Sequence, residues 1–140
     1  MEAREIKICD YEQVTSLWQC CEGIGLHSDI DSEYGVGTYL ARNSGLSFAA
    51  VRDGQIIGTV LCGHDGRRGY LHHLAVVQEH RRSGVGTALV DKALGALRQK
   101  GIRKCHSFVF CENRAALEFW RTLGWAQRDD LKVVSKSIII

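Results

Sequence analysis

The sequence lacks the features that mark several large classes of protein. No apolar run approaches the ~18 residues that a membrane-spanning helix needs, so we expect no membrane partner. The formal net charge of +2 is too small to indicate nucleic-acid binding. The first residues, MEAREIKICD, contain no apolar stretch of the kind found in secretory signals. We therefore expect a cytoplasmic protein.

Proline, low-complexity segments and internal repeats are also absent, and no CxxC pair occurs. The six cysteines lie in strand-like or helix-like segments, so we predict buried free thiols rather than disulfides. His64 and Asp65 lie in a turn without the helical HExxH motif of zinc enzymes, and we expect no metal. A length of 140 residues predicts a single domain over residues 1–140.

The apolar pattern predicts strands that alternate with helices in a mixed α/β fold. Asp10 is the predicted N-cap of the first helix, with Gln13 as its capping-box partner. Asp53 and Gly54 give the strongest hairpin signal. The predicted strands are 5–9, 46–52, 55–62, 70–77, 105–111 and 131–140, and the predicted helices are 11–21, 34–42, 84–100 and 113–124.

The stretch EHRRSGVGTALVD, residues 79–91, combines two arginines, a serine and two glycines with the start of a helix. Amides in a first helical turn have no internal partners, and glycine lets an anion approach the backbone. The stretch contains neither a GxGxxG fingerprint nor a P-loop. Its spacing alone therefore fits an anion site and an ordinary Gly-rich loop equally well.

The longer run LAVVQEHRRSGVGTAL, residues 74–89, resembles the acyl-CoA-binding signature of the GNAT superfamily of N-acetyltransferases. NRAALEFWRTLGW, residues 113–125, is similar to the second signature of that family. The resemblance covers residues 55–128 well and the first 45 residues loosely. It implies a mixed, mostly antiparallel sheet of about six or seven strands, flanked by about four helices.

The resemblance also implies acetyl-CoA as cosubstrate. The amides from Arg82 to Thr87 would hold its pyrophosphate, and the strand around Leu74 would pair with the pantetheine arm. The Val76 amide would stabilise the oxyanion. Asn113 would contact the arm and also cap a helix. The implied cofactor-binding residues are Leu74, Ala75, Val76, Arg81, Arg82, Ser83, Gly84, Val85, Gly86, Thr87, Asn113 and Trp120.

The implied reaction is direct transfer of an acetyl group to a primary amine of a small molecule or peptide. Relatives commonly use a tyrosine as the acid, where this chain has Trp120, and the indole N–H is not a usable acid. Trp120 is therefore predicted to pack and to shield the thiol. His72 is the candidate base, with Tyr70 as a relay. His72 and His73 are expected to point to opposite faces of their strand.

Three acids, Asp29, Asp31 and Glu33, precede the second predicted helix. They would either attract a cationic acceptor or form a solvated acidic loop. Because the usual tyrosine is missing, a weakly catalytic or non-catalytic acyl-CoA-binding module is the alternative function. The sequence does not identify the acceptor, the acyl chain length, or whether the chain forms a homodimer.

Overall fold

The computed structural model describes residues 1–139, and Ile140 lies outside the described residues. They divide into two compact units, Met1–Phe108 and the remainder from Val109 onward. The first unit contains the helices α1 (Tyr11–Cys20), α2 (Glu33–Arg42) and α3 (Val85–Gln99), and the strands β1 (Glu2–Glu5), β2 (Phe48–Arg52), β3 (Gln55–His64), β4 (Gly69–Val76) and β5 (Cys105–Ser107). The second unit contains α4 (Arg114–Thr122).

The five strands form one sheet in the order β1-β2-β3-β4-β5. The first three pairings are antiparallel, and β4 pairs with β5 in parallel because α3 makes the crossover between them. The mixed, mostly antiparallel fold is therefore confirmed, with five strands in the described residues rather than six or seven. The strand expected at 131–140 is wrong for residues 131–139, which form no strand and are exposed.

The two faces of the sheet pack against different helices. On one face, a Cβ at Gly58 would lie 3.1 Å from both Val85 Cγ1 and Leu89 Cδ1, a tight contact, so glycine favours the close approach of α3. The predicted stripe of α3 is buried as expected. On the other face, α1 and α2 form the core with Val14, Leu17, Trp18, Val36, Ala49, Leu61 and Ala75.

Local signals predicted some of the connections correctly. Asp53 and Gly54 have φ angles of 52° and 75°, as a two-residue hairpin of this kind requires. The capping role assigned to Asp10 is wrong, because its side chain makes no bond to the start of α1. Its carboxylate instead accepts the Lys7 N–H at 2.9 Å and pairs with Arg4 at 2.8 Å. The first strand, predicted at 5–9, is instead β1 at Glu2–Glu5, and residues 8–10 form a 3-10 turn.

All six cysteines are free thiols, as predicted, but their burial differs. Cys62 is buried, and burial raises its pKa to about 12. The prediction of burial is wrong for Cys9, Cys20 and Cys111, which are exposed. Cys9 lies in a 3-10 turn, Cys20 on the exposed side of the end of α1, and Cys111 in a turn beyond β5, so apolar surroundings in the sequence did not predict their burial.

Candidate active site

The pairing of β4 with β3 contains a bulge at His73. The register shifts between Thr59 and Leu61, so β4 has one residue more than β3 in this stretch. His73 has a φ of 50°, a left-handed conformation that is costly for a residue other than glycine. Trp18 Nε1 donates to Thr59 Oγ1 at 2.9 Å, and the Thr59 hydroxyl donates to the His73 carbonyl at 3.1 Å. These bonds stabilise the bulge from inside the core.

The bulge places His72 and His73 on the same side of the sheet. The His72 ring lies 6.2 Å from the ring of Tyr39 on α2, and the His73 ring lies 4.8 Å from that of Trp18 on α1. The prediction that the two side chains point to opposite faces is therefore wrong. It assumed strict alternation along the strand, which an extra residue at a positive φ interrupts.

Asp31 is buried and paired with the bulge. Its Oδ1 lies 2.8 Å from His73 Nε2, and its Oδ2 accepts the His27 N–H at 2.9 Å. The sequence suggested that Asp31 either attracts a cationic acceptor or belongs to a solvated acidic loop. Neither description fits a residue that is buried and paired. Asp29 and Glu33 are exposed, in line with the solvated alternative. The pattern of three acids gave no sign that the middle one has a histidine partner 42 positions away.

Within residues 1–139, one edge of β4 has no partner strand along its second half. The pairing with β5 ends at Leu71 and Ser107, whereas β4 continues to Val76. The Val77 N–H bonds to the Ile57 carbonyl at 2.9 Å. Because neighbouring residues of an antiparallel strand bond to opposite sides, the N–H of Val76 is directed away from β3 and toward this open edge.

The glycine-rich turn follows this edge directly and leads into α3. Arg82 and Gly84 have φ angles of 61° and 86°. In the part of the chain that the structure describes, the N–H groups from Arg82 to Thr87 have no hydrogen-bond acceptor. No acidic residue lies in the first turn of α3. Six amides and the positive end of a helix dipole are thus available to an anion.

The side chains of the turn have different roles. Arg81 Nε donates to the Val76 carbonyl at 2.9 Å, so this guanidinium fastens the turn to the end of β4. The Ser83 hydroxyl donates to the His80 carbonyl, and Val85 is buried. Arg82 is exposed and makes no side-chain hydrogen bond or ion pair within residues 1–139. Neither arginine has an acidic partner within residues 1–139, and Arg82 is the one whose guanidinium makes no bond.

His72 belongs to a cluster of aromatic rings beside the open edge. Its ring is nearly parallel to that of Tyr70, with centroids 6.5 Å apart and an angle of 7° between the planes. Phe108 lies 6.0 Å from Tyr70 and 6.1 Å from His72, and His106 lies 5.6 Å from Tyr70. Burial lowers the pKa of His72, the neighbouring His73 lowers it further, and Asp31 opposes both effects. His72 is therefore a neutral imidazole at pH 7.

A cavity of about 250 Å³ opens between α2 and the β3–β4 hairpin, with His72 and Tyr70 in its wall. Tyr39 also lines it, and its buried hydroxyl has no hydrogen-bond partner among the described residues. A Cβ at Gly63 would lie 2.7 Å from Tyr39 Oη, so glycine is required for the close approach. Sequence reasoning missed Tyr39 and Gly63, because no motif connects α2 to the hairpin.

The second unit contains two further residues that the resemblance singled out. Asn113 is the N-cap of α4, since its Oδ1 accepts the Ala116 N–H at 3.1 Å. Trp120 is buried, with ring centroids 5.2 Å from Phe119 and 4.4 Å from Trp125. The observed environment of Trp120 is that of a packing residue.

Two other features, a membrane-spanning helix and a metal site, are absent from residues 1–139. Within residues 1–139, no helix is both long enough and apolar enough to cross a membrane. The same residues contain no group of three or more histidine, cysteine or acidic side chains arranged to hold a metal ion.

Comparison with known sequences gives consistent matches. The profile of the acetyltransferase (GNAT) family matches residues 11–125. A curated acetyltransferase of Photorhabdus laumondii is 30% identical over 141 residues, covering 100% of this chain and 97% of the relative. An acetyltransferase of Sodalis glossinidius is 27% identical over 139 residues, covering 99% and 96%.

Comparison with solved structures gives the same fold. The aminoglycoside acetyltransferase AAC(6')-Iy, in complex with the bisubstrate analogue CoA-S-monomethyl-acetylneamine, superposes with a TM-score of 0.78 at 21% identity, over 97% of each chain. The PaiA N-acetyltransferase of Thermoplasma acidophilum, in complex with coenzyme A, superposes with a TM-score of 0.79 at 20% identity, over 91% of each chain. At these identities the likeness concerns the fold.

Proposed function

Because the chain belongs to the GNAT family of acetyltransferases, we propose that it transfers an acetyl group from acetyl-CoA to a primary amine. The proposal rests on two features of the first unit that follow one another along the chain. The unpaired edge of β4 runs directly into a helix start with six unbonded amides. An extended arm that ends in a pyrophosphate needs both features, in this order.

The anion end of acetyl-CoA would lie against the turn before α3. The amides from Arg82 to Thr87 donate to the pyrophosphate oxygens, and the helix dipole adds a favourable field. Gly84 and Gly86 leave the backbone accessible to a bulky anion. Arg82 adds a full positive charge, whereas Arg81 acts by fastening the turn. The absence of acids from the first helical turn avoids repulsion.

The pantetheine arm would add to the open edge of β4 as an extra strand, paired along Leu74, Ala75 and Val76. In this pose the Val76 N–H, which is directed away from β3, donates to the thioester oxygen and stabilises its negative charge during attack. In the second unit, Asn113 keeps its side-chain N–H groups for the arm, because only its Oδ1 is used by the cap. Trp120 acts as a packing residue that shields the thiol.

The reaction needs one base and one leaving group. The amine nitrogen attacks the carbonyl carbon of the thioester, the C–S bond breaks, and CoA leaves as a thiolate. His72, neutral because burial lowers its pKa, takes the proton that the nitrogen loses, directly or through Tyr70 and water. A thiol with a pKa near about 8.5 gives a thiolate of modest basicity, so departure without a strong acid is feasible.

The test is the release of CoA thiol from acetyl-CoA, measured with a panel of primary amines and peptides and without any acceptor. Steady, acceptor-dependent release supports the proposal. Calorimetry on the same preparation measures acetyl-CoA binding independently of turnover. Tight binding without release for every acceptor would overturn the enzyme and favour the acyl-CoA-binding module that the missing tyrosine suggests.

A further inference from the structure

The cavity beside His72 has walls of unusual composition for a site that must receive an amine. Four of the side chains that line it, Tyr39, His64, Tyr70 and His72, carry flat rings. Phe108 lies against the rings of Tyr70 and His72 and is 65% exposed. An aromatic ring left this open, next to a cavity with aromatic walls, gives a ligand a flat apolar surface to cover.

The charges at the cavity do not select a polycation. Of the charged residues that line it, Arg42 is positive and Asp65 is negative, so they oppose each other. The Asp65 carboxylate already accepts the backbone N–H groups of Arg67 and Arg68, both at 2.8 Å. None of the acids Asp29, Asp31 and Glu33 lines the cavity. A polyamine or an aminoglycoside would bring several ammonium groups to a lining with a single carboxylate, whose charge Arg42 offsets.

The volume limits the acceptor to a small molecule. A cavity of about 250 Å³ lies just below the ~300–1,000 Å³ that drug-sized ligands occupy. An engineered cavity of about 150 Å³ binds benzene, so this volume is room for one six-membered ring with a short side chain. The end of a folded protein or a trisaccharide would have most of its surface outside.

We infer that the acceptor is a small primary amine that carries a single flat aromatic ring, such as an arylethylamine. Its ring packs against Tyr70, Phe108 and the wall formed by Tyr39, and its amine reaches the imidazole of His72. Aromatic pairs prefer offset or edge-to-face contacts with centroids about 4.5–7 Å apart. The rings of Tyr70, His72 and Phe108 lie 6.0–6.5 Å from one another, so a ligand ring beside them can make contacts of the same kind. This inference rests on the proposed function, since it assigns the acceptor of the same reaction.

The test compares 2-phenylethylamine with 2-cyclohexylethylamine, which has the same arm and nearly the same size but no π-system. Spermidine and neamine are the polycationic comparison. We expect kcat/KM to favour the phenyl compound over the cyclohexyl compound by about three- to tenfold, and to favour it over both polycations. Phe108→Leu keeps an apolar side chain and should reduce the phenyl preference about twofold or more. Tyr34→Leu is the matched control. Tyr34 is an 84% exposed ring at the start of α2, whereas the cavity residue Tyr39 lies near the end of that helix.

Calorimetry of each amine with the CoA-saturated protein tests the aromatic binding site separately from the proposed enzymatic activity. Binding of 2-phenylethylamine without turnover of any amine would support the ring site and overturn the proposed enzyme. Rapid acetylation of spermidine or neamine, with no preference for phenyl over cyclohexyl, would support the enzyme and overturn the ring site. Loss of the phenyl preference in Tyr34→Leu, with Phe108→Leu unchanged, would also contradict the assignment.

Discussion

His72 is the residue on which the proposed chemistry depends most. Its pKa is lowered by burial, so the neutral form that accepts a proton persists to lower pH than for an ordinary histidine. The acidic limb of the pH profile of kcat/KM should therefore lie below about 6.5, the usual histidine value. His72→Gln should remove that limb and slow the reaction about 10²- to 10⁴-fold. A limb that survives in His72→Gln would assign the base to another residue.

Asp31 and Asp29 are chemically identical and only two positions apart, but their surroundings differ. Asp31 is buried and accepts from His73 and His27, whereas Asp29 is exposed. Asp31→Ala should lower the free energy of unfolding by about 1–3 kcal/mol, because it leaves buried donors unpaired. Asp29→Ala should change it by less than about 0.5 kcal/mol. Urea unfolding of the two variants measures this difference, and equal effects would show that the buried pair does not stabilise the bulge.

The start of α3 is the element that binds the anion in this account. The helix dipole stabilises an aspartate in the first helical turn, but the aspartate repels a bound pyrophosphate. Gly86→Asp should therefore abolish acetyl-CoA binding without lowering the melting temperature. Gly95→Asp, on the same helix with open space around its Cβ, is the control and should bind normally. Calorimetry measures the affinity of each variant for acetyl-CoA. Normal affinity in a folded Gly86→Asp variant would refute the assignment of the pyrophosphate to the start of α3.

The elements also show which information the sequence contains locally. The hairpin at Asp53 and Gly54 and the buried stripe of α3 were predictable, because turn chemistry and helical periodicity act over a few residues. The bulge at His73 was not predictable in this way. It depends on the register between β3 and β4 and on a bond from Thr59, so no pattern within β4 alone encodes it.

At the scale of the whole molecule, the fold and the family were predictable because two ordered motifs lie at a characteristic separation. The composition of the cavity was not, since Tyr39, Gly63 and His72 come from three different elements. Only the packing of α2 on the sheet brings them together. Sequence patterns thus proposed only the candidate residues that lie in one continuous segment, and these stay a prediction. The structure was needed to find the residues that are brought together from several elements.

The central claim is that this chain forms an amide between an acetyl group and an amine. The most direct measurement is mass spectrometry of a mixture of primary amines after incubation with deuterium-labelled acetyl-CoA and the purified protein, with N,N-dimethylated analogues of the same amines as controls. The account predicts labelled acetyl amides of one or more primary amines, with none from the tertiary analogues, which cannot form a stable amide. Absence of any labelled amide, from a protein that binds acetyl-CoA, would contradict it.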